Sequence, residues 1–162
     1  MHRKALLALC FLACAGPPPL AAQSTAEQEV RAVIDRLFDA MRRGDSAAAR
    51  AVFHPEARLQ TAAARQHETV LRTVTVDDFV RAVGSPRGEV WDERVSDVLI
   101  LVDDPLATAW MRYAFYLGER LSHCGVNAFH LVRTSQGWKV TQVTDTRRVE
   151  CGPTGGSAGP GG

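Results

Sequence analysis

Apolar residues recur at three- and four-residue steps through Val30, Val33, Ile34, Leu37, Phe38 and Met41, with Glu27, Glu29, Arg31, Asp35, Arg36, Arg42 and Arg43 between them. That spacing lays one apolar stripe along a helix and predicts its burial against a core. Acids gather at its start and arginines at its end, as the helix dipole favours, and Gly44 stands where a C-cap is needed. Asp45 then predicts the cap of a shorter helix over residues 47–53, stopped by His54-Pro55. Residues 58–63 and 68–74 are modestly strand-like and joined by a turn near Arg65-Gln66. Thr75-Val76-Asp77-Asp78 reads as the start of a third helix, with Phe79, Val80 and Val83 as its apolar side and Gly84 as its stop.

Beyond the loop Ser85-Pro86-Arg87-Gly88 the period changes to two. Residues 95–102, 107–116, 122–133 and 138–145 alternate as strands, separated by Asp103-Asp104-Pro105, Gly118-Glu119 and Ser135-Gln136-Gly137. Helix, helix, hairpin, helix and four antiparallel strands make an α+β plan: a cone-shaped, curved antiparallel sheet packed on N-terminal helices. A sheet so curved encloses a hollow. No internal repeat is visible.

Two stretches carry a family resemblance. Residues 34–45, ending in Arg43-Gly44-Asp45, followed by Val52-Phe53-His54-Pro55-Glu56-Ala57, resemble the opening of the nuclear transport factor 2-like superfamily, a helix ending in "G-D" and then "F-x-x-x-A". Residues 129–145, with Gly137-Trp138-Lys139-Val140, resemble that superfamily's last hairpin. Within it the chain is most similar to the bacterial SnoaL-like and lumazine-binding-like branch, from about Thr25 to Arg148. The resemblance implies the cone fold and a homodimer formed through the outer face of the sheet. Enolising isomerases of the superfamily carry an aspartate on the strand after "F-x-x-x-A". Residues 57–63 here contain no acid, which counts against that base.

A last hairpin turning on Ser135-Gln136 sets Arg133 opposite Trp138, Leu131 opposite Val140, Phe129 opposite Gln142 and Asn127 opposite Thr144. A turn at Gly118-Glu119-Arg120 adds Met111 opposite Asn127 and Tyr113 opposite Gly125. One face then runs from Trp138, Val140, Leu131 and Phe129 through Met111, Tyr113 and Phe115 to Asn127, Gln142 and Thr144, with Trp91 and Asp92 at its mouth. This is an apolar concavity with few polar groups, the makeup of a small-molecule site. The competing reading is a solid core in which Asn127 and Gln142 bond each other or buried water. A one-residue slip would exchange the faces, exposing Asn127 and burying His130 and Asp145.

His123 falls on the inward face near Tyr113 and Phe115, and is the candidate catalytic base if a carboxylate orients it. No acid is expected beside it, since alternation puts Asp97 and Asp145 outside or at the rim. Otherwise it is a satisfied structural histidine. No histidine pair shares a helix face, so no metal is expected. No Gly-x-Ser-x-Gly elbow or glycine-rich phosphate loop occurs, and no cofactor is expected. Trp110, Arg112 and Tyr116 lie on the opposite face and mark the expected homodimer surface.

The first residues change the compartment. Met1-His2-Arg3-Lys4 is basic, residues 5–16 are apolar, and Pro17-Pro18-Pro19-Leu20-Ala21-Ala22 supplies a break and small residues. Residues 1–22 therefore read as a secretory signal cleaved after Ala22. The apolar run ends too soon for a membrane anchor, and Leu12-Ala13-Cys14 leaves a lipoprotein as a variant reading. The mature domain is then residues 23–151, with a glycine-rich tail at 152–162 that lacks large apolar residues. Without the leader the chain carries 17 basic and 18 acidic residues, so it offers no basic field for nucleic acid. Cys124 and Cys151 remain for an oxidising periplasmic or extracellular setting, either as free thiols or as one disulfide. Extending the last hairpin's pairing sets Cys124 opposite Arg147 and Cys151 opposite Arg120, which favours the bond.

The leading expectation is an exported, mainly non-enzymatic protein binding a small, largely apolar ligand through Tyr113, Asn127, Phe129 and Gln142. The rivals are a SnoaL-like enzyme of isomerase, cyclase or hydrolase type with His123 as base, and a structural dimerisation module. A carboxylate bonded to His123, both facing the cavity, would favour the enzyme.

Overall fold

A computed structural model describes residues 24–65, 68–86 and 88–152. The elements are α1 (Thr25–Arg43), α2 (Ser46–Ala51), β1 (Phe53–Arg65), β2 (Glu68–Val74), α3 (Val76–Gly84), β3 (Trp91–Asp103), β4 (Leu106–Leu117), β5 (Arg120–Thr134) and β6 (Gly137–Thr146). The expected leader and all of the glycine-rich tail but Gly152 lie outside the described residues.

Helix α1 begins at a capping box in which the Glu27 amide donates to Ser24 Oγ at 3.2 Å and the Ser24 amide donates to Glu27 Oε2 at 3.2 Å. It ends at Gly44, whose φ of 66° only glycine adopts without penalty, and whose N–H reaches the Ala40 and Met41 carbonyls. The stripe from Val30 to Met41 is buried, as its period predicts. Helix α2 is shorter than expected. Phe53 already belongs to β1, where it pairs with Val140 of β6 and sets its ring edge-on to Phe79 at 5.9 Å. Sheet pairing and this aromatic contact end the helix before His54-Pro55 does.

The strands form one six-stranded sheet in the order β2-β1-β6-β5-β4-β3. All neighbours are antiparallel except β1 and β6, which run parallel. Its concave face receives α1, and Ile34, Met111, Phe129 and Leu131 are almost wholly buried between them. Each such side chain is worth about 1.5–3 kcal/mol relative to exposure. Met111 thus belongs to this core and does not line the cavity described below.

The last hairpin follows the expected register only part of the way. Arg133 faces Trp138 and Leu131 faces Val140, but then His130 faces Gln142, Phe129 faces Val143 and Asn127 faces Asp145. Thr141 is the extra residue of a β-bulge, its hydroxyl donating to the His130 carbonyl at 3.2 Å. Because strand side chains alternate, one inserted residue exchanges the faces beyond it. Val143 and Asp145 turn inward. Gln142 and Thr144 leave the pocket face, and the Gln142 amide bonds Gln60 at 3.2 Å and Thr144 at 2.9 Å.

The same displacement brings Arg148, rather than Arg147, opposite Cys124, with both backbone bonds at 2.9 Å. Cys124 and Cys151 form a disulfide across Cα atoms 6.0 Å apart, fastening the chain that follows β6 to the sheet. Gly125 permits this close approach, since a Cβ there would lie 1.8 Å from the Thr146 carbonyl oxygen.

Candidate functional site

A cavity of about 340 Å³ lies between the concave face of the sheet and helices α1 and α3, within the range of small-ligand sites. Its apolar side is set by Leu37 and Phe38 of α1, Phe79 of α3, and Trp91, Phe115 and Phe129 of the sheet. Rings are packed edge-on, Phe38 against Phe129 at 6.2 Å and Trp91 against Phe115 at 6.0 Å. Such contacts hold the aromatic wall in one arrangement. Of the residues expected from the sequence, Trp91, Tyr113, Phe115, His123, Asn127 and Phe129 line the cavity, whereas Met111, Gln142 and Thr144 do not.

The polar side is built around two carboxyl groups the sequence reading did not place there. Asp145 enters through the Thr141 bulge. Its Oδ1 accepts from Thr61 Oγ1 at 2.5 Å, and its Oδ2 accepts from Arg147 Nε at 2.8 Å and lies 3.1 Å from the Tyr113 hydroxyl. That hydroxyl also lies 2.9 Å from the Thr146 carbonyl, so its one proton is shared between two acceptors. Burial, then the Asp145 and Glu93 carboxylates, hold the Tyr113 phenol well above its ordinary range. It is a fixed donor at any physiological pH. Asp97, the other aspartate weighed from the sequence, stays outside and pairs with Arg112 at 3.2 Å.

Glu93 enters because β3 starts four residues earlier than expected and a bulge between Ser96 and Leu99 brings the face of Trp91, Glu93 and Val95 onto that of Val98, Ile100 and Val102. Trp91, Glu93 and Val95 share one face of that strand, and the charged run Asp92-Glu93-Arg94 hides the period. Asn127, only 4% exposed, donates from Nδ2 to Glu93 Oε1 at 2.6 Å. Burial pushes the Glu93 carboxyl up to about 7, against the pull of the Asn127 bond, with Asp145 adding to the rise and Arg147 opposing it. The partner of Asn127 is therefore an acid, not Gln142.

His123 stacks at a tilt on Phe115, with centroids 4.9 Å apart, and stands edge-on to Tyr113 at 5.7 Å. Its Nδ1 lies 3.2 Å from Ser122 Oγ. Burial first, then Arg147, lower its pKa against the attraction of Asp145, which keeps the ring neutral. Both oxygens of Asp145 are taken by Thr61, Tyr113 and Arg147. The carboxylate that would orient His123 as a base is absent from its hydrogen bonds. Among the described residues no group of three or more His, Cys, Asp or Glu is arranged to hold a metal ion.

On the other face of the sheet, Leu99, Leu101 and Trp110 are 56%, 61% and 55% exposed, with Leu99 opposite Trp110 in the ladder. Tyr116 lies beneath the Arg94 guanidinium, 4.2 Å from its ring centroid. No helix among the described residues is long and apolar enough to cross a membrane.

The architecture is a curved sheet closing over a helix around an apolar cavity with a polar end. Residues 25–144 match the family described as "Putative lumazine-binding", and the chain belongs to that family. Solved structures share the fold. A protein of Novosphingobium aromaticivorans described as NTF2-like with a cystatin-like fold is 13% identical, covers 77% of this chain and 83% of its own, and has a TM-score of 0.61. A "putative dehydratase" of the NTF2-like family from Streptomyces avermitilis is 15% identical over 78% of this chain and 98% of its own, with a TM-score of 0.60. A "putative calcium/calmodulin dependent protein kinase II association domain" from Xanthomonas campestris is 16% identical over 86% of this chain and 99% of its own, with a TM-score of 0.61. At these identities they establish the fold, mostly antiparallel and α+β. No protein with a curated description matches the chain.

Proposed function

We propose that this protein binds a small, largely apolar molecule in the cone, with the ligand's polar end against Tyr113, Asn127, Glu93 and Asp145. The observation that carries the reading is the cavity itself. A solid core would have filled it, and native interiors close voids larger than a water molecule. Membership of a family described as lumazine-binding supports a small-molecule ligand. Ligand-induced thermal stabilisation tests it: binding to the folded state alone raises stability by RT ln(1 + [L]/Kd), about 2.7 kcal/mol at a hundredfold excess over Kd. Binding takes precedence over catalysis because, among the described residues, His123 contacts Ser122 and no carboxylate orients it as a base.

The protein is further proposed to work outside the cytoplasm, after loss of residues 1–22. A disulfide between Cys124 and Cys151 supports this, since such bonds persist in oxidising compartments. It is also proposed to form a homodimer through the outer sheet face. The exposed Leu99, Leu101 and Trp110 support that surface, while Arg112 and Tyr116 serve as its rim, occupied by Asp97 and Arg94.

A further inference from the structure

We propose that the ligand of this cavity is an organic cation, an amine carried on an apolar or aromatic body, whose ammonium group pairs with Glu93 while the body packs on Phe38, Phe115 and Phe129. The inference rests on the small-molecule reading above and gives it a chemical class.

It follows from the balance of charge inside the cavity. Three carboxyl groups line the space, Asp78, Glu93 and Asp145, with one arginine, Arg147; Asp78 is paired outside it with Arg81 at 2.6 Å. Arg147 commits its Nε to Asp145, and burial, which works against its charge, is outweighed by that bond and by attraction to Asp145. Glu93 is left with an amide donor, Asn127, and no ion pair among the described residues. A half-buried carboxylate with no ion pair is held at a penalty. An entering ammonium removes that penalty, a neutral ligand leaves it, and an anion adds to it.

The walls suit the same ligand. Phe115, Phe129 and Trp91 line the cavity, and aromatic rings attract cations as well as apolar bodies. Tyr113 does not supply a donor to Glu93, because its hydroxyl is already directed at Asp145 and Thr146. The titratable and charged groups that surround Glu93 are Tyr113 on β4, His123 on β5, Asp145 and Arg147 at the end of β6, and Asp78 on α3. Arg42 on α1 approaches from the mouth but is engaged by Asp39 and Asp92.

The test uses three probes of one shape, 1-naphthylmethylamine, 1-naphthylmethanol and 1-naphthoate, titrated calorimetrically against the full mature protein. The amine is expected to bind at least about tenfold tighter than the alcohol at pH 8, and the carboxylate weakest. Between pH 5.5 and 8 amine affinity is expected to rise roughly 10- to 30-fold as Glu93 gives up its proton. Glu93→Gln, which keeps an acceptor for Asn127, should abolish both the amine preference and most of the pH dependence. Asp97→Asn, on the outer face of the sheet, should retain them, which separates Glu93 from the loss of a carboxylate as such. Thermal melts of both variants establish that they are folded. Equal affinity for amine and alcohol, preference for the carboxylate through Arg147, or a pH dependence unchanged in Glu93→Gln would each overturn the cation assignment and leave the pocket standing. Failure of all three probes to bind would overturn the pocket reading with it.

Discussion

The hydroxyl of Tyr113 lies 3.1 Å from Oδ2 of Asp145, and the contact exists only because Thr141 bulges out of the ladder and turns Asp145 inward. Without that extra residue Thr144 would face Asn127 and the aspartate would point to solvent. Tyr113→Phe removes one bond from a buried network and leaves Asp145 with Thr61 and Arg147. The expected loss is about 0.5–1.5 kcal/mol in urea unfolding at pH 7. An unchanged midpoint would show that the phenol does not hold this end of the cavity.

Glu93 makes stability depend on pH in a defined direction. Its folded value of about 7 stands above its ordinary 4.5, so the native state holds the proton more tightly than the unfolded chain. Stability contributed this way is present at low pH and is lost as pH rises through about 7. Glu93→Gln keeps a neutral side chain throughout. It is expected to gain on the order of 2–3 kcal/mol over the parent at pH 8.5 and to match it near pH 4.5. His123 acts oppositely, since a lowered pKa makes protonation below its ordinary 6.5 destabilising, but it is common to both proteins and cancels in the difference. Melting curves across that range check the sign.

The Cys124–Cys151 bond closes a loop with a sequence separation of 27. On the chain-entropy account it stabilises by roughly 3 kcal/mol, which Cys151→Ser should forfeit. For protein exported from its native host, non-reducing mass spectrometry is expected to find one disulfide and no residues 1–22. A retained leader would contradict export, and two free thiols would contradict the bond.

Much of this was legible beforehand, and the failures have physical causes. Helix α1 could be read because its stripe of six apolar residues, the charges at its ends and Gly44 agree with one another. The disulfide could be read although the register was off by one, Arg148 standing opposite Cys124 where Arg147 was expected, because that error still leaves the two cysteines at the same end of the sheet. Asp145 and Glu93 were missed at two irregularities. A bulge carries no residue signature of its own, yet Trp138 and Val140 followed by Val143 break the period of two and reveal it once sought. Glu93 sits in a charged tripeptide that looks like loop, although Trp91, Glu93 and Val95 alternate correctly. Asp145 was placed outside by an unbroken alternation that the bulge interrupts, and Glu93 lies before the stretch that reads as a strand.

The outer patch yields a separate expectation. Trp110→Glu places a charge opposite Leu99 at the centre of the exposed apolar strip and should convert a dimer to monomer in light scattering, with little change in melting temperature. A dimer indifferent to this substitution would place the interface elsewhere.

The central claim, that the cone is a ligand site, is tested most directly by two-dimensional NMR during titration with 1-naphthylmethanol, a probe that requires no charge partner. Saturable shifts confined to Tyr113, Phe115, His123, Asn127 and Phe129 are the predicted result. Absence of saturable shifts at millimolar probe, or shifts centred on Leu99 and Trp110 of the outer face, would contradict it.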